Sequence, residues 1–480
     1  MEITETPLNP SLRLPQPGSE ITSTSRTQDS RFLQYALIGI QLLFFFLLLW
    51  RLPRVEALTV APSNLVRIPF LALMGGILLL MIKSKPVDAL GIFVGAIAFE
   101  PAIQAEQWMP QKYLLLIILT GSIILYLKSK PVQFGLYWII CMMCAGIYLL
   151  NAFLGSGLNT PVFAWGMHIM AGAFLCGFCQ HLKPSPIDTK WLSGVSGTSI
   201  TLLALLSVAS ARHNDKLPLS VNELLATQFR LGQVDMESFN TFACLCALGV
   251  FNWIVYLQLR GNRLVGITGA LICSAAMIAS KTISVLAILI LLLPIVLWQM
   301  TADRRLIRIL SLTGWTVACA GVLLLLTSDL DLLSIQSRDK ETGSGRLIIW
   351  NWAVSTIVEE PFGLTWSEYA ASAPIEQRYV NLQGEEYEPV LSPHNSILTS
   401  FIFGGIPAGT LFTLLVAQWL KRSYGLVKSG GATSLIRCLG PFTLLAHMTM
   451  DFWYFNFFLG IMWVYFSNRI TSTARTIGTT

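Results

Sequence analysis

The chain has 480 residues, of which 54% are hydrophobic and 12% charged. That charge is about half of what a typical soluble domain carries, and with a mean hydropathy of +0.62 it excludes soluble, disordered, collagen-like and coiled-coil chains. Net charge is +6, from 32 basic and 26 acidic residues, with no basic stripe interleaved with aromatics, so nucleic acid is excluded as a partner. What remains is an all-α polytopic membrane protein.

Residues 1–31 are polar, with Pro, Ser and Thr throughout, and read as a disordered cytoplasmic tail. No apolar stretch near the start resembles a cleaved signal peptide, so the first span is expected to act as an uncleaved insertion signal. Apolar runs long enough to approach the roughly 20 residues a membrane helix needs centre on 32–50, 66–82, 89–105, 113–127, 134–150, 163–180, 191–211, 239–259, 264–279, 282–300, 309–327, 396–419, 436–450 and 452–467. Because several are short, about 12–14 helices are expected.

Orientation follows the cations. With the N-terminus inside, 20 of the 32 Lys and Arg fall in inside segments, and both termini are expected in the cytoplasm. Two inside turns, Lys83-Ser84-Lys85-Pro86-Val87 and Lys128-Ser129-Lys130-Pro131-Val132, repeat almost verbatim. They read either as a duplicated helix pair or as convergent stop chemistry, a cation anchor followed by a helix-ending Pro.

Two outer segments are long, 212–238 and 328–393. The second is far longer than an ordinary connection. It carries eleven acidic residues and a run of aromatics (Trp350, Trp352, Trp366, Tyr369, Tyr379) that argue for a small folded cap, opened by an amphipathic helix over about 345–358. The nine Cys lie in apolar runs, so no structural disulfide is expected. Cys141-x-x-Cys144 and Cys176-x-x-Cys179 resemble zinc half-sites, but on apolar helices Cys is ordinarily a small packing residue. No phosphate-binding loop, dinucleotide fingerprint or Asp-rich metal motif is present, so neither metal nor cofactor is expected.

A few polar residues stand where chemistry is possible. His394 opens the apolar helix at 396, within Ser392-Pro393-His394-Asn395. Its ordinary pKa suits proton transfer, although a helix-start His is also satisfied by backbone. Arg346 follows Gly343-Ser344-Gly345 just before the loop helix, a setting for an anion at a helix N-terminus or for pairing with the loop's carboxylates. Lys281 interrupts two apolar runs, as a functional cation or a snorkelling anchor. Arg230 lies in the other outer loop. His447 and Asp451 share a helix face, as a proton relay or a structural hydrogen bond.

Taken together, Gly345-Arg346 with Trp350 and Ala353, then Glu360-Pro361-Phe362-Gly363, then His394-Asn395 followed by Gly405, resemble the O-antigen ligase and Wzy-type polymerase superfamily. Arg230-Leu231-Gly232 with Asn240, and Ser280-Lys281-Thr282, are weaker matches upstream, so the resemblance covers roughly 225–467. The spans and cations divide the chain into a cytoplasmic tail (1–31), an N-terminal transmembrane bundle of about 11 helices (32–327), a large outer loop (328–393), C-terminal transmembrane helices (394–469) and a cytoplasmic tail (470–480); the resemblance implies the same all-helical arrangement, with the large loop periplasmic, in a bacterial inner membrane. It also implies an activity: inverting, metal-independent transfer of a glycan from undecaprenyl diphosphate to an acceptor sugar on the periplasmic side. Arg346, Lys281 and Arg230 would hold the diphosphate and His394 would assist the acceptor hydroxyl, with Asn395, Gly345, Trp350 and Gly405 in support. Where the family has Arg, this chain has Lys281, a point charge in place of a bidentate fork. The implied partners are the lipid-linked donor, an acceptor glycan or lipid A-core, the bilayer, a flippase and a chain-length regulator. Polymerase is favoured over ligase, and a small-solute or anion transporter is the rival from another class.

Overall fold

The computed structural model describes residues 28–50, 64–105, 111–128, 136–158, 160–182, 185–213, 239–280, 346–374, 379–380, 386–387 and 395–428. Among these the chain is all-α. The helices are α1 (Gln28–Trp50), α2 (Asn64–Lys83), α3 (Pro86–Ile97), α4 (Glu100–Ala105), α5 (Gln111–Lys128), α6 (Leu136–Asn151), α7 (Pro161–His181), α8 (Pro186–His213), α9 (Phe239–Gln258), α10 (Arg263–Ala279), α11 (Arg346–Glu359), α12 (Trp366–Ser372) and α13 (Ser396–Lys428). A single π-helical turn, Ala152–Ser156, extends α6. A two-residue antiparallel pair joins β1 (Tyr379–Val380) to β2 (Glu386–Tyr387), in the register Tyr379 opposite Tyr387.

Among the described residues three stretches are long and apolar enough to cross a membrane, Trp138–Gly155, Ile187–His213 and Ser396–Gln418, and six shorter apolar helices accompany them; the spans expected over 282–300, 309–327, 436–450 and 452–467 lie outside the described residues. The run expected as one span over 89–105 is split. Pro101, at the second position of α4, has no amide hydrogen to donate to the Ile97 carbonyl, so one helix cannot run through it unbroken. Helix α3 therefore ends at Ile97, a turn closes from Phe99 N–H to the Ala96 carbonyl, and Glu100 begins α4 buried.

Helix α8 is the hub of one half, packed on α1, α3, α9 and α10; α7 lies against α5 and α6, and α6 against α13. Hydrocarbon surroundings give apolar surfaces no reason to associate, so close approach and hydrogen bonds must hold the helices. Gly197 and Gly269 let α8 and α10 close on the Trp253 ring. The Gln41 amide donates to the Val195 carbonyl (2.9 Å) and Ser199 Oγ (2.6 Å), and Ser199 donates on to the Gly95 carbonyl. Asn252 Nδ2 donates to Ser196 Oγ at 2.9 Å.

Of the second repeated basic turn only Lys128, the last residue of α5, is among the described residues. Lys128 Nζ donates to the carbonyls of Ile82 (2.8 Å) and Ser84 (2.7 Å), capping the C-terminal end of α2. A cation at a helix C-terminus satisfies carbonyls that the helix leaves open.

Candidate active site

Helix α13 begins with a side-chain cap. Asn395 Oδ1 accepts from the N–H groups of Ile397 (3.0 Å) and Leu398 (3.1 Å), which have no intrahelical acceptor. The Asn395 carbonyl accepts from Thr399 N–H and Oγ1. Position 394 is therefore the residue immediately ahead of the cap.

Further along, α13 is broken. Gly405 has φ 64° and ψ −171°, a region essentially closed to other residues, and Pro407 follows. In an unbroken helix Ile406 N–H would donate to the Ile402 carbonyl. Here the turn Glu360–Leu364 enters the gap. Ile406 N–H donates to the Pro361 carbonyl (2.8 Å), and the Ile402 carbonyl accepts from Leu364 N–H (2.7 Å). The loop thus supplies both the acceptor and the donor that the break removed. Pro407 also leaves the Phe403 carbonyl without its helical donor, and Asn151 Nδ2 donates to it at 2.8 Å.

Only glycine permits this contact. A Cβ on Gly363 (φ 87°) would lie 2.6 Å from Gly405 N, and one on Gly405 would strike the Pro361 carbonyl oxygen. The Glu360-Pro361-Phe362-Gly363 motif and the distant Gly405 are two sides of one backbone contact.

Aromatic packing extends the contact. Trp366 stacks on Phe403 with ring centroids 5.7 Å apart, Tyr369 lies 5.0 Å from Phe403, and Trp352 meets Tyr369 edge-on at 5.7 Å. Burial pushes the Tyr369 hydroxyl above its ordinary pKa. Helix α12 opens on a capping box. Thr365 N–H (2.7 Å) and Oγ1 (2.8 Å) donate to Glu368, whose own N–H donates back to Thr365 Oγ1. The Thr365 N–H first, then its hydroxyl, holds the Glu368 carboxyl below the usual range.

Helix α11 packs along α13. Arg346 is its first residue; Ile349, Ala353 and Thr356 form its buried stripe, and Trp350 is half-buried against the core. The helix runs from Arg346 to Glu359, against the 345–358 expected from the sequence. The His394, Lys281, Arg230 and Gly345 residues, the Arg346 side chain, and His447 and Asp451 lie outside the described residues. Among the described residues no group of three or more His, Cys, Asp or Glu could hold a metal ion. Cys144 donates to the Ala408 carbonyl (3.7 Å), so this half of the Cys-x-x-Cys pattern serves helix packing.

Sequence reasoning missed Tyr148 and Asn151. Tyr148 Oη donates to the Ser400 carbonyl (3.0 Å), and Asn151 Nδ2 donates to the carbonyls of Phe403 and Leu364 (3.2 Å). The one available sign was an amide at the end of an otherwise apolar run, followed by Gly155 and Gly157.

A family model described as O-antigen ligase matches residues 267–413. The stretch takes in most of α10, all of α11 and α12, and α13 past its break. A curated relative, the ComP-specific O-oligosaccharyltransferase of Acinetobacter baylyi, is 22% identical over 297 residues, covering 60% of this chain and 53% of the relative. The chain thus spans about half the length of that relative. No solved structure matches. Over residues 267–413 this all-α membrane chain is thus similar to the O-antigen ligase family.

Proposed function

We infer that the chain is a membrane glycosyltransferase that moves a glycan from an undecaprenyl-diphosphate-linked donor to an acceptor sugar on the periplasmic side of a bacterial inner membrane. The observation that carries this reading is the insertion of the Pro361–Leu364 turn into the break of α13. It ties the segment headed by Arg346 to the helix capped by Asn395, so that motifs far apart in sequence belong to one folded unit.

The donor carries its own leaving group, so the work of the enzyme is positioning and charge stabilisation. The acceptor hydroxyl oxygen attacks the anomeric carbon from the face opposite the diphosphate. The bond from that carbon to the phosphate oxygen breaks, and undecaprenyl diphosphate leaves with the electron pair. His394 takes the hydroxyl proton; Arg346, Lys281 and Arg230 balance the charge on the diphosphate. The step needs no metal.

Growth of a polymer is the favoured outcome. Transfer of a finished glycan to a different acceptor, as in a ligase, is the second reading, supported by the description of the family and by the name of the relative as an oligosaccharyltransferase. Deleting the gene and running glycan gels separates them. Single repeat units held on the lipid carrier mean a polymerase, full chains that never reach lipid A mean a ligase, and an unchanged glycan profile overturns both. Reintroduced His394→Ala is expected to lose about 10²-fold or more of the activity, with Arg346→Ala similarly impaired. Lys281→Arg should support transfer where Lys281→Ala does not.

A further inference from the structure

The break at Gly405 divides α13 into an N-terminal piece, 396–404, and a C-terminal piece, 406–428. Regular helix transmits orientation through its ladder of hydrogen bonds, and here the ladder is cut. Something else must set the attitude of the piece that carries Asn395 and, just ahead of it, His394.

Three successive contacts do so from outside the helix. Ser400 offers its carbonyl to Tyr148, Ile402 to Leu364 N–H, and Phe403 to Asn151. Leu364 is itself held twice, since its own carbonyl accepts from the same Asn151 amide. One –NH₂ group thus joins the end of α6, the inserted turn and the N-terminal piece of α13. The chemistry is selective for Asn. A hydroxyl has a single hydrogen to give, and a carboxylate has none and would face two carbonyl oxygens. The π-helical turn that follows is the kind of irregularity found where a helix serves a site, and its Gly155 closes directly on the Thr365 methyl.

We propose that Asn151 is a positioning residue for glycan transfer, fixing the inserted turn and the His394-bearing piece of α13 on the transmembrane bundle. The catalytic consequence rests on the function inferred above; the structural consequence does not.

The test uses the full-length protein in lipid nanodiscs, with hydrogen exchange read at the amides of Leu364 and Ile406 and with transfer kinetics on a lipid-linked donor. Asn151→Asp, close to isosteric, should speed exchange at Leu364 about tenfold, as losing two partly buried hydrogen bonds predicts. It should also lower kcat by a similar factor with the donor KM unchanged. Tyr148→Phe, which removes only a hydroxyl, should produce a smaller change of the same kind; it also serves if Asn151 variants fail to fold. Unchanged exchange in both variants overturns the proposal, as does a loss of activity that appears in KM alone. A wild-type protein that transfers no glycan overturns the inferred function instead, and the exchange measurement then decides whether Asn151 fixes the inserted turn.

Discussion

At the scale of single residues, Gly405 and Gly363 show why two short motifs about forty positions apart must co-occur. Each permits the other's backbone to approach, and neither has a role without its partner. Gly157 offers a control. It too has positive φ (85°), but a Cβ there would meet nothing within 4 Å. Alanine at Gly157 should therefore cost only backbone strain, about 1–3 kcal/mol. Alanine at Gly405 should cost more, because the new methyl meets backbone that cannot step aside, and it should release the inserted turn. Thermal unfolding in detergent compares the two; equal midpoints would show that the contact at Gly405 contributes nothing. Glu368 gives a prediction in pH. Its carboxyl titrates below the unfolded value of about 4.3, so the charged form stabilises the fold. That contribution is present above about pH 4.3 and is lost as pH falls through the lower folded value. Glu368→Gln should therefore unfold earlier than wild type at pH 6, and the difference should shrink as the pH is lowered below the unfolded value.

At the scale of elements, α11 and α12 are held differently. Helix α11 buries a stripe at 349, 353 and 356, the spacing of one helix face, and was legible from hydropathy alone. Helix α12 has seven residues and too little length for a periodic stripe. Its stability comes from the Thr365–Glu368 capping box and from Trp366 and Tyr369 on Phe403, contacts that exist only once α13 is in place. Thr365→Ala should destabilise by about 1 kcal/mol and loosen the turn locally. Faster amide exchange confined to 364–372 would show this; exchange unchanged there would mean that the aromatic contacts alone hold the helix. The same contrast explains α3 and α4. The apolar run was plain, but Pro101 divides it, and hydropathy averages across such a break.

At the scale of the whole molecule, the chain is a helical membrane protein in which one connection does more than link spans. The acidic, aromatic segment beyond α10 returns to complete the hydrogen bonding of the last described helix. If the cations orient the chain as expected, Phe362, which is 83% exposed at the tip of the inserted turn, faces the periplasm and Lys85 the cytoplasm. Phe362→Cys should then react with a membrane-impermeant thiol reagent on intact spheroplasts, and Lys85→Cys only after permeabilisation. The reverse pattern would invert the topology and with it the side on which the donor is used.

The sequence by itself determined the membrane class, the positions of most of the described helices, the loop helix and the resemblance carried by residues 345–405, because hydropathy, helical periodicity and local motif are properties of neighbouring residues. Tertiary structure decided what the motif glycines are for and which residue of the N-terminal half reaches them. Asn151 lies more than 200 positions from Leu364 and Phe403. Its partners are two backbone carbonyls, one in the inserted turn and one, that of Phe403, freed only because Pro407 has no amide hydrogen to give it, and a carbonyl released by a distant kink leaves no trace in the identity of the residue that will bind it.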